Sequence, residues 1–139
     1  MLPAIQIGEA DAALDQQLSD ALDAHNARAV PGPGAVELTV SSYDGSGALL
    51  GGLSGWTWQE AAGIGMTWVH ADQRGTGLGA KLLHDFEEAA RTRGARRVFV
   101  TSFTFQAPGF YERHGYREIF RWEGVPTAGE ADVHFRKDL

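Results

Sequence analysis

The residues best suited to chemistry lie in one stretch, Gln73-Arg74-Gly75-Thr76-Gly77-Leu78-Gly79-Ala80-Lys81-Leu82-Leu83. Three alternating glycines there precede an apolar helical repeat. Glycine has no Cβ, so a ligand can approach bare backbone. A helix that starts at such a loop points unpaired N–H groups at the ligand, and its dipole favours an anion. Arg74 and Lys81 add positive charge. The combination describes a phosphate cradle. It is not a Walker loop, because Lys81 follows Ala80 and precedes Leu82, where that loop needs Gly-Lys-Ser/Thr. Gly75, Gly77 and Ala80 match a dinucleotide fingerprint formally. The next strand, however, ends near Thr101 and Ser102 without the required acid, and the loop follows a hairpin instead of opening a βαβ series.

The elements that must position this loop follow from hydrophobic period and punctuation. Residues 4–8 (AIQIG) read as a short strand. Residues 10–29 read as a helix, with Leu14, Leu18, Ala21, Leu22 and His25 at helical spacing behind Asp11 and a stop at Pro31 to Gly34. Residues 35–43 and 48–58 alternate as a hairpin around Asp44-Gly45-Ser46-Gly47. Residues 59–63 turn, and 64–70 form a third strand. Helix 77–93 carries the stripe Leu78, Leu82, Leu83, Phe86, Ala89 and Ala90 and stops at Gly94. A strand over 96–103, a short helix from Pro108 to His114 and strands over 116–124 and 131–137 complete the order. The reading is a mixed α/β (α+β) sheet with helices packed on it, in one domain spanning 1–139.

Composition bounds the function. A chain of 139 residues, 43% hydrophobic and 22% charged, has the size and composition of one globular core. It holds 18 glycines, about twice the usual share of about 7%. They follow no collagen period. Cysteine is absent, which excludes disulfides, thiolate-held zinc and a thiol nucleophile and fits the cytoplasm. The histidines show no metal spacing, so no metal is expected. No apolar run approaches the roughly 20 residues of a membrane span, and the first residues lack the basic and apolar regions of a secretory leader. A net charge of −6 argues against nucleic acid as a partner. The charge is uneven: residues 1–72 carry −8, residues 73–121 carry +4 and residues 122–139 carry −2. The middle segment suits an anion and the first half a cation.

The stretch Thr67 to Gly79 resembles the acyl-CoA signature of the GNAT-superfamily (GCN5-related) N-acetyltransferases, Arg/Gln-x-x-Gly-x-Gly/Ala, with Arg74, Gly77 and Gly79 in its positions. A second block, Gln106-Ala107-Pro108-Gly109-Phe110-Tyr111-Glu112-Arg113-His114-Gly115-Tyr116, is similar to that family's later motif. The resemblance covers roughly residues 35–137. It implies a mostly antiparallel sheet of about 6–7 strands flanked by about 3–4 helices, and acetyl-CoA as co-substrate. It implies that the backbone of Trp68, Val69 and His70 pairs with the pantetheine arm, and that Arg74, Gly75, Thr76, Gly77, Leu78, Gly79 and Ala80 hold the diphosphate. Tyr111 is implied as the general acid that protonates the leaving thiolate. Two positions depart from the pattern: Thr104 stands where many members have Asn, and Ala71 where Pro is usual. Gln106 is the substitute contact to the cofactor.

Direct transfer of an acetyl group from a thioester to an amine needs proximity, a polarised carbonyl and a proton for the thiolate. It also needs a base for the ammonium, for which Glu37, Glu60, His70 and Asp72 are the candidates. His25, His84, His114 and His134 read as surface or packing residues. Trp56 and Trp58 share a strand face, and with Tyr43, Glu60 and Phe105 they are candidates for an acceptor wall. The expected activity is acetyl transfer to a small-molecule amine acceptor, cationic in view of the acidic first half. The alternative is a non-catalytic acyl-CoA sensor of the same fold. Edge strands near the C-terminus leave a homodimer open.

Overall fold

The computed structural model describes all 139 residues. They divide into two compact units, residues 1–34 and 35–139. The first holds one helix, α1 (Ala12–Ala29), whose N-terminus is capped by Asp11 accepting from Leu14 N at 2.9 Å. None of its residues is buried, and Leu14, Leu18 and Leu22 remain exposed. The strand expected over 4–8 does not form. A strand exists by pairing its backbone, and these residues pair with none.

The second unit is a six-stranded sheet with two helices. Its strands are β1 (Val36–Tyr43), β2 (Leu49–Trp58), β3 (Ala61–Val69), β4 (Arg97–Phe103), β5 (Arg117–Glu123) and β6 (Ala131–Asp138). Their spatial order is β1-β2-β3-β4-β6-β5. All neighbours are antiparallel except β3 and β4. Helix α2 (Leu78–Thr92) is the crossover between that parallel pair, and α3 (Pro108–Arg113) follows β4. The mixed fold expected from the sequence is therefore present. The third strand starts at Ala61, three residues early, because Gln59 takes a positive φ of 52° and turns the chain within two residues.

The apolar stripe of α2 decides the core. Leu82, Leu83, Phe86 and Ala90 are buried against the sheet residues Leu38, Leu53, Val98 and Val133. The strands show the matching alternation: Val98, Val100 and Ser102 of β4 point inward, and so do Ala131, Val133 and Phe135 of β6.

One buried residue of α2 is charged. Glu87, 5% exposed, accepts from the Tyr116 hydroxyl at 2.8 Å and from Lys137 Nζ at 3.0 Å. The Lys137 ammonium also lies over the Tyr116 ring, 5.6 Å from its centroid. Both oxygens of the carboxylate are thus used, which is what permits its burial. The group ties α2 to β6 and to the residue that opens β5. At the far end of α2, Arg93 donates to the Glu37 carbonyl at 2.9 Å and to the Thr57 hydroxyl at 3.2 Å.

Burial, the Glu87 charge and the hydrogen bond to Glu87 all hold the Tyr116 pKa well above the ordinary tyrosine value. Burial likewise raises Tyr111. A raised folded-state pKa means stability that is complete below the unfolded value and is lost as pH climbs past it. Chemical denaturation between pH 9 and 11.5 is therefore expected to show stability falling above a pH of about 10, by about 1.4 kcal/mol per pH unit for each such tyrosine. Tyr116→Phe should halve that slope and cost about 1–3 kcal/mol at pH 7 by removing a hydrogen bond to the buried Glu87 carboxylate, which keeps Lys137 Nζ at 3.0 Å. A flat profile through pH 11 would contradict the burial argument.

Candidate active site

The site begins with a fault in β3. Its register with β2 runs through Gly55↔Ile64 and resumes at Ser54↔Met66, so Gly65 has no partner. A Cβ on Gly55 would lie 2.0 Å from the Gly63 carbonyl oxygen, so only glycine fits beside the bulge. One extra residue resets the alternation. Ala62 and Ile64 face the core before the bulge; beyond it Thr67 and Val69 turn inward and Met66 and Trp68 turn outward. On its other side, β3 pairs with β4 only from Ala61↔Arg97 to Ile64↔Val100. Past that point the two strands part and enclose a cleft of about 840 Å³. Residues from Ile64 to Val69 form one wall of the cleft, and Val100, Thr101 and Ser102 form the other.

The glycine loop closes one end of the cleft. Gly75 and Gly77 adopt left-handed φ values of 78° and 90°. Helix α2 starts immediately after them with Gly77 at its N-cap, and no side chain caps it. The first intrahelical bond is Lys81 N to the Gly77 carbonyl, 3.0 Å. The N–H groups of Gly79 and Ala80 therefore have no helical partner, and Leu78 N–H has only Thr76 Oγ1 at 3.4 Å. α1, in contrast, is capped by an aspartate. Arg74 Nε donates to the Val69 carbonyl at 3.3 Å, which keeps the guanidinium against the cleft. Lys81 instead pairs with Asp85 at 2.6 Å, one turn down the helix.

The expected residues divide accordingly. Trp68, Val69, Arg74, Gly75, Gly77, Gly79, Ala80, Gln106 and Tyr111 line the cleft; His70, Thr76 and Leu78 do not. His70 Nδ1 accepts from Asp72 N at 3.0 Å and opens the short 3-10 turn Ala71–Gln73. Thr76 Oγ1 donates to the Gln73 carbonyl at 2.5 Å and braces the loop. Leu78 packs against the core. Gln106 lines the wall while its Oε1 accepts from Phe103 N at 2.8 Å. Thr104 joins Glu130 and accepts from Ala131 N at 3.0 Å, tying the end of β4 to the start of β6. Phe105 lines the cleft, whereas Tyr43, Trp56, Trp58 and Glu60 do not.

Tyr111 also lines the cleft. It is 5% exposed, with ring contacts to Phe110, Tyr116 and Phe135 at 5.2, 5.7 and 6.1 Å between centroids. Burial raises its pKa, and the neighbouring Thr67 hydroxyl pulls it part of the way back. Thr67 Oγ1 is buried and makes no hydrogen bond of ordinary geometry, so its effect on Tyr111 is that of a polar neighbour poised beside the phenol. Thr67 and Phe110 are among the lining residues to which the sequence assigned no role. Thr67 sits on the inner face only because the bulge flips it. Phe110 lies 3.5 Å from where a Gly79 Cβ would be, which locks α3 against the start of α2.

An uncapped helix start, two left-handed glycines and an arginine fit a diphosphate, and a narrow cleft between parted strands fits an extended arm. The acetyltransferase (GNAT) family profile matches residues 11–116. The chain belongs to the acetyltransferase (GNAT) family. A curated relative, blasticidin-S acetyltransferase of Streptomyces morookaense, is 44% identical over 75 residues. That match spans about half of each protein: 51% of this chain and 53% of the relative. Among solved GNAT-like structures, an acetyltransferase of Bacillus cereus ATCC 14579 superimposes with a TM-score of 0.79 at 28% identity, over 97% of this chain and 98% of that one. An aminoglycoside 6'-N-acetyltransferase complexed with coenzyme A shares the fold, with a TM-score of 0.64 at 16% identity over 92% of each chain.

For this GNAT chain, Gly77→Val tests the cradle. A β-branched side chain at φ 90° is strained by about 1–2 kcal/mol and crowds the free N–H groups. Coenzyme A titrated by calorimetry is expected to bind at least about tenfold more weakly, which corresponds to about 1.4 kcal/mol. Unchanged affinity in a folded variant would remove the loop from the site.

Proposed function

We propose that the protein is an N-acetyltransferase that transfers an acetyl group from acetyl-CoA directly to the amine of a small cationic acceptor. The single observation that carries this reading is the cleft between β3 and β4, which is lined by both the uncapped glycine loop and Tyr111. Residues 1–139 act as one acyltransferase domain, in the cytoplasm, where acetyl-CoA is supplied. The relative's name supports an amine antibiotic of the blasticidin type as the class of acceptor.

Bound acetyl-CoA would supply the acyl group as a thioester. Gly75, Gly77, Gly79 and Ala80 would hold its diphosphate through backbone N–H groups, with Arg74 beside them. The β3 edge beyond Ile64, unpaired by β4, offers its backbone to the extended arm as a neighbouring strand would. The bulge at Gly65 leaves backbone free of β2, and that backbone is suited to polarise the acyl carbonyl. Tyr111 donates a proton to the departing thiolate. Its raised pKa keeps it protonated throughout the neutral range, and the Thr67 hydroxyl next to it favours the phenolate formed in the act of donation. The chain has no cysteine to carry the acyl group, in keeping with direct transfer.

Thiol release from acetyl-CoA, screened against amines that include blasticidin S and aminoglycosides, tests the reading. Turnover is expected with at least one cationic amine. Tyr111→Phe should then lower kcat by about 10²–10⁴-fold and leave coenzyme A affinity within about twofold. The basic limb of the wild-type pH profile should lie above the ordinary tyrosine value of about 10. Wild-type kcat in the Phe variant would remove Tyr111 from the chemistry.

A further inference from the structure

Acetyl transfer gives sulfur one proton, for which Tyr111 accounts, and takes two from the acceptor's ammonium. The first of these must leave before the nitrogen can attack. None of Glu37, Glu60, His70 or Asp72 lines the cleft, and neither do Asp132 and His134; the Nδ1 lone pair of His70 is in addition taken up by Asp72 N at 3.0 Å. The sheet face opposite the core carries a different pair. Asp132 and His134 are two residues apart on β6 and alternate with the buried Ala131, Val133 and Phe135, so both project from the outer face. His134 Nε2 lies 3.1 Å from Asp132 Oδ2. The second oxygen of that carboxylate, Oδ1, is buried with no hydrogen-bond partner. The His134 side chain is 36% exposed and that of Asp132 is 19% exposed.

Register places this pair next to the cleft. His134 is the antiparallel partner of Thr101, and Thr101 lines the cleft wall on β4. Directly opposed side chains on such strands stand about 4.5–5.5 Å apart at Cβ. His134 is therefore one strand from the β3–β4 gap, on the outer face. Tyr111 approaches the same gap from the inner face, where it touches Phe135. The phenol lines the cleft itself, and the imidazole stands beside Thr101, which lines it from β4.

The geometry points to His134, oriented by Asp132, as the base that takes the proton from the acceptor amine, directly or through one water. This rests on the acetyl-transfer reading above. The ammonium gives one proton to His134, and the freed nitrogen lone pair forms the C–N bond. The C–S bond breaks with its electron pair on sulfur, and sulfur takes the Tyr111 proton. The new amide nitrogen sheds its second proton to solvent, from which Tyr111 is reprotonated, and His134 discharges to solvent. The sum is an acetylated amine, a free thiol and one released proton. Asp132 fixes the imidazole through Nε2, leaving Nδ1 to accept.

The charged groups facing His134 are few. On β6 they are Asp132 and, two residues further, Arg136, which is held by Asp138 at 2.9 Å. On β4 the outward neighbours Phe99, Thr101 and Phe103 are uncharged. On β5, Phe120 meets the imidazole edge-on at 5.4 Å, and Arg117 stands opposite Arg136.

The test uses the full chain, the amine selected by the thiol-release screen, and His134→Gln and Asp132→Asn. At neutral pH, H134Q is expected to lower kcat/KM at least about 100-fold with coenzyme A affinity unchanged. The loss should shrink toward unity as pH rises toward the amine's own pKa, because a neutral amine needs no base. D132N should show a smaller loss with the same pH trend. A loss below about twofold at neutral pH, or one that stays constant with pH while coenzyme A still binds, would overturn the assignment. No thiol release with any amine of the screen, while coenzyme A still binds, would instead count against the acetyl-transfer reading beneath it.

Discussion

The structure turns on a pairing that stops. β3 and β4 are the only parallel neighbours in the sheet, and they hold register for four residue pairs before they separate. A strand edge left open inside a sheet carries unsatisfied backbone donors and acceptors, which is costly unless water or a ligand meets them. The gap is stable here because each strand has a full partner on its other side: β2 for β3 and β6 for β4. The bulge at Gly65 adds local twist at the point of separation and turns Thr67 and Val69 toward the core side. A sheet parted in its middle gives a protein of this size a deep cleft without hollowing out its core.

Such a sheet needs its closed end held firmly. Main-chain bonds contribute: Arg96 N donates to the Glu60 carbonyl and Leu139 N to the Arg96 carbonyl, both at 2.8 Å. The Glu87–Tyr116–Lys137 group contributes more, because it joins the two halves. α2 packs mainly on β1 and β2, and its Glu87 reaches across to Lys137 of β6 and to Tyr116 at the start of β5. A buried carboxylate is costly to desolvate and specific in what it accepts. Here it fixes how far the far half of the sheet can swing from the helix that carries the glycine loop. Tyr111 is in ring contact with one member of this group, Tyr116, at 5.7 Å, and its neighbour Phe110 packs against Gly79 of the glycine loop.

Local features of the chain were legible from its residues. The glycine loop, the α2 stripe and the punctuated hairpin all depend on neighbours within a few positions, and each appears close to its expected place. What failed depended on distant partners. Residues 4–8 have strand composition but pair with no strand. Thr67 lies on the inner face because of a bulge that alternation read from sequence passes over, although Gly55, Gly63 and Gly65 mark it in retrospect. His134 reads from the sequence as a surface or packing histidine, and the role proposed for it rests on Thr101, directly opposite it across the ladder, which only the register reveals. The His-x-Asp spacing in reverse, Asp132-Val133-His134, was the available signal, since residues two apart on a strand share a face.

The two faces of the sheet suit two opposite proton transfers. A group that must hold its proton until a thiolate forms is best kept from water, and Tyr111 is buried among Phe110, Tyr116 and Phe135. Burial alone would make it too weak an acid, so a polar neighbour is required, and Thr67 provides one. A group that must take a proton from a cation and release it to solvent needs the reverse: partial exposure and a fixed negative charge behind it. The outer face supplies both in His134 and Asp132. On the proposed reading the parting of β3 and β4 beyond Ile64↔Val100 is what lets a group from each face serve one bond.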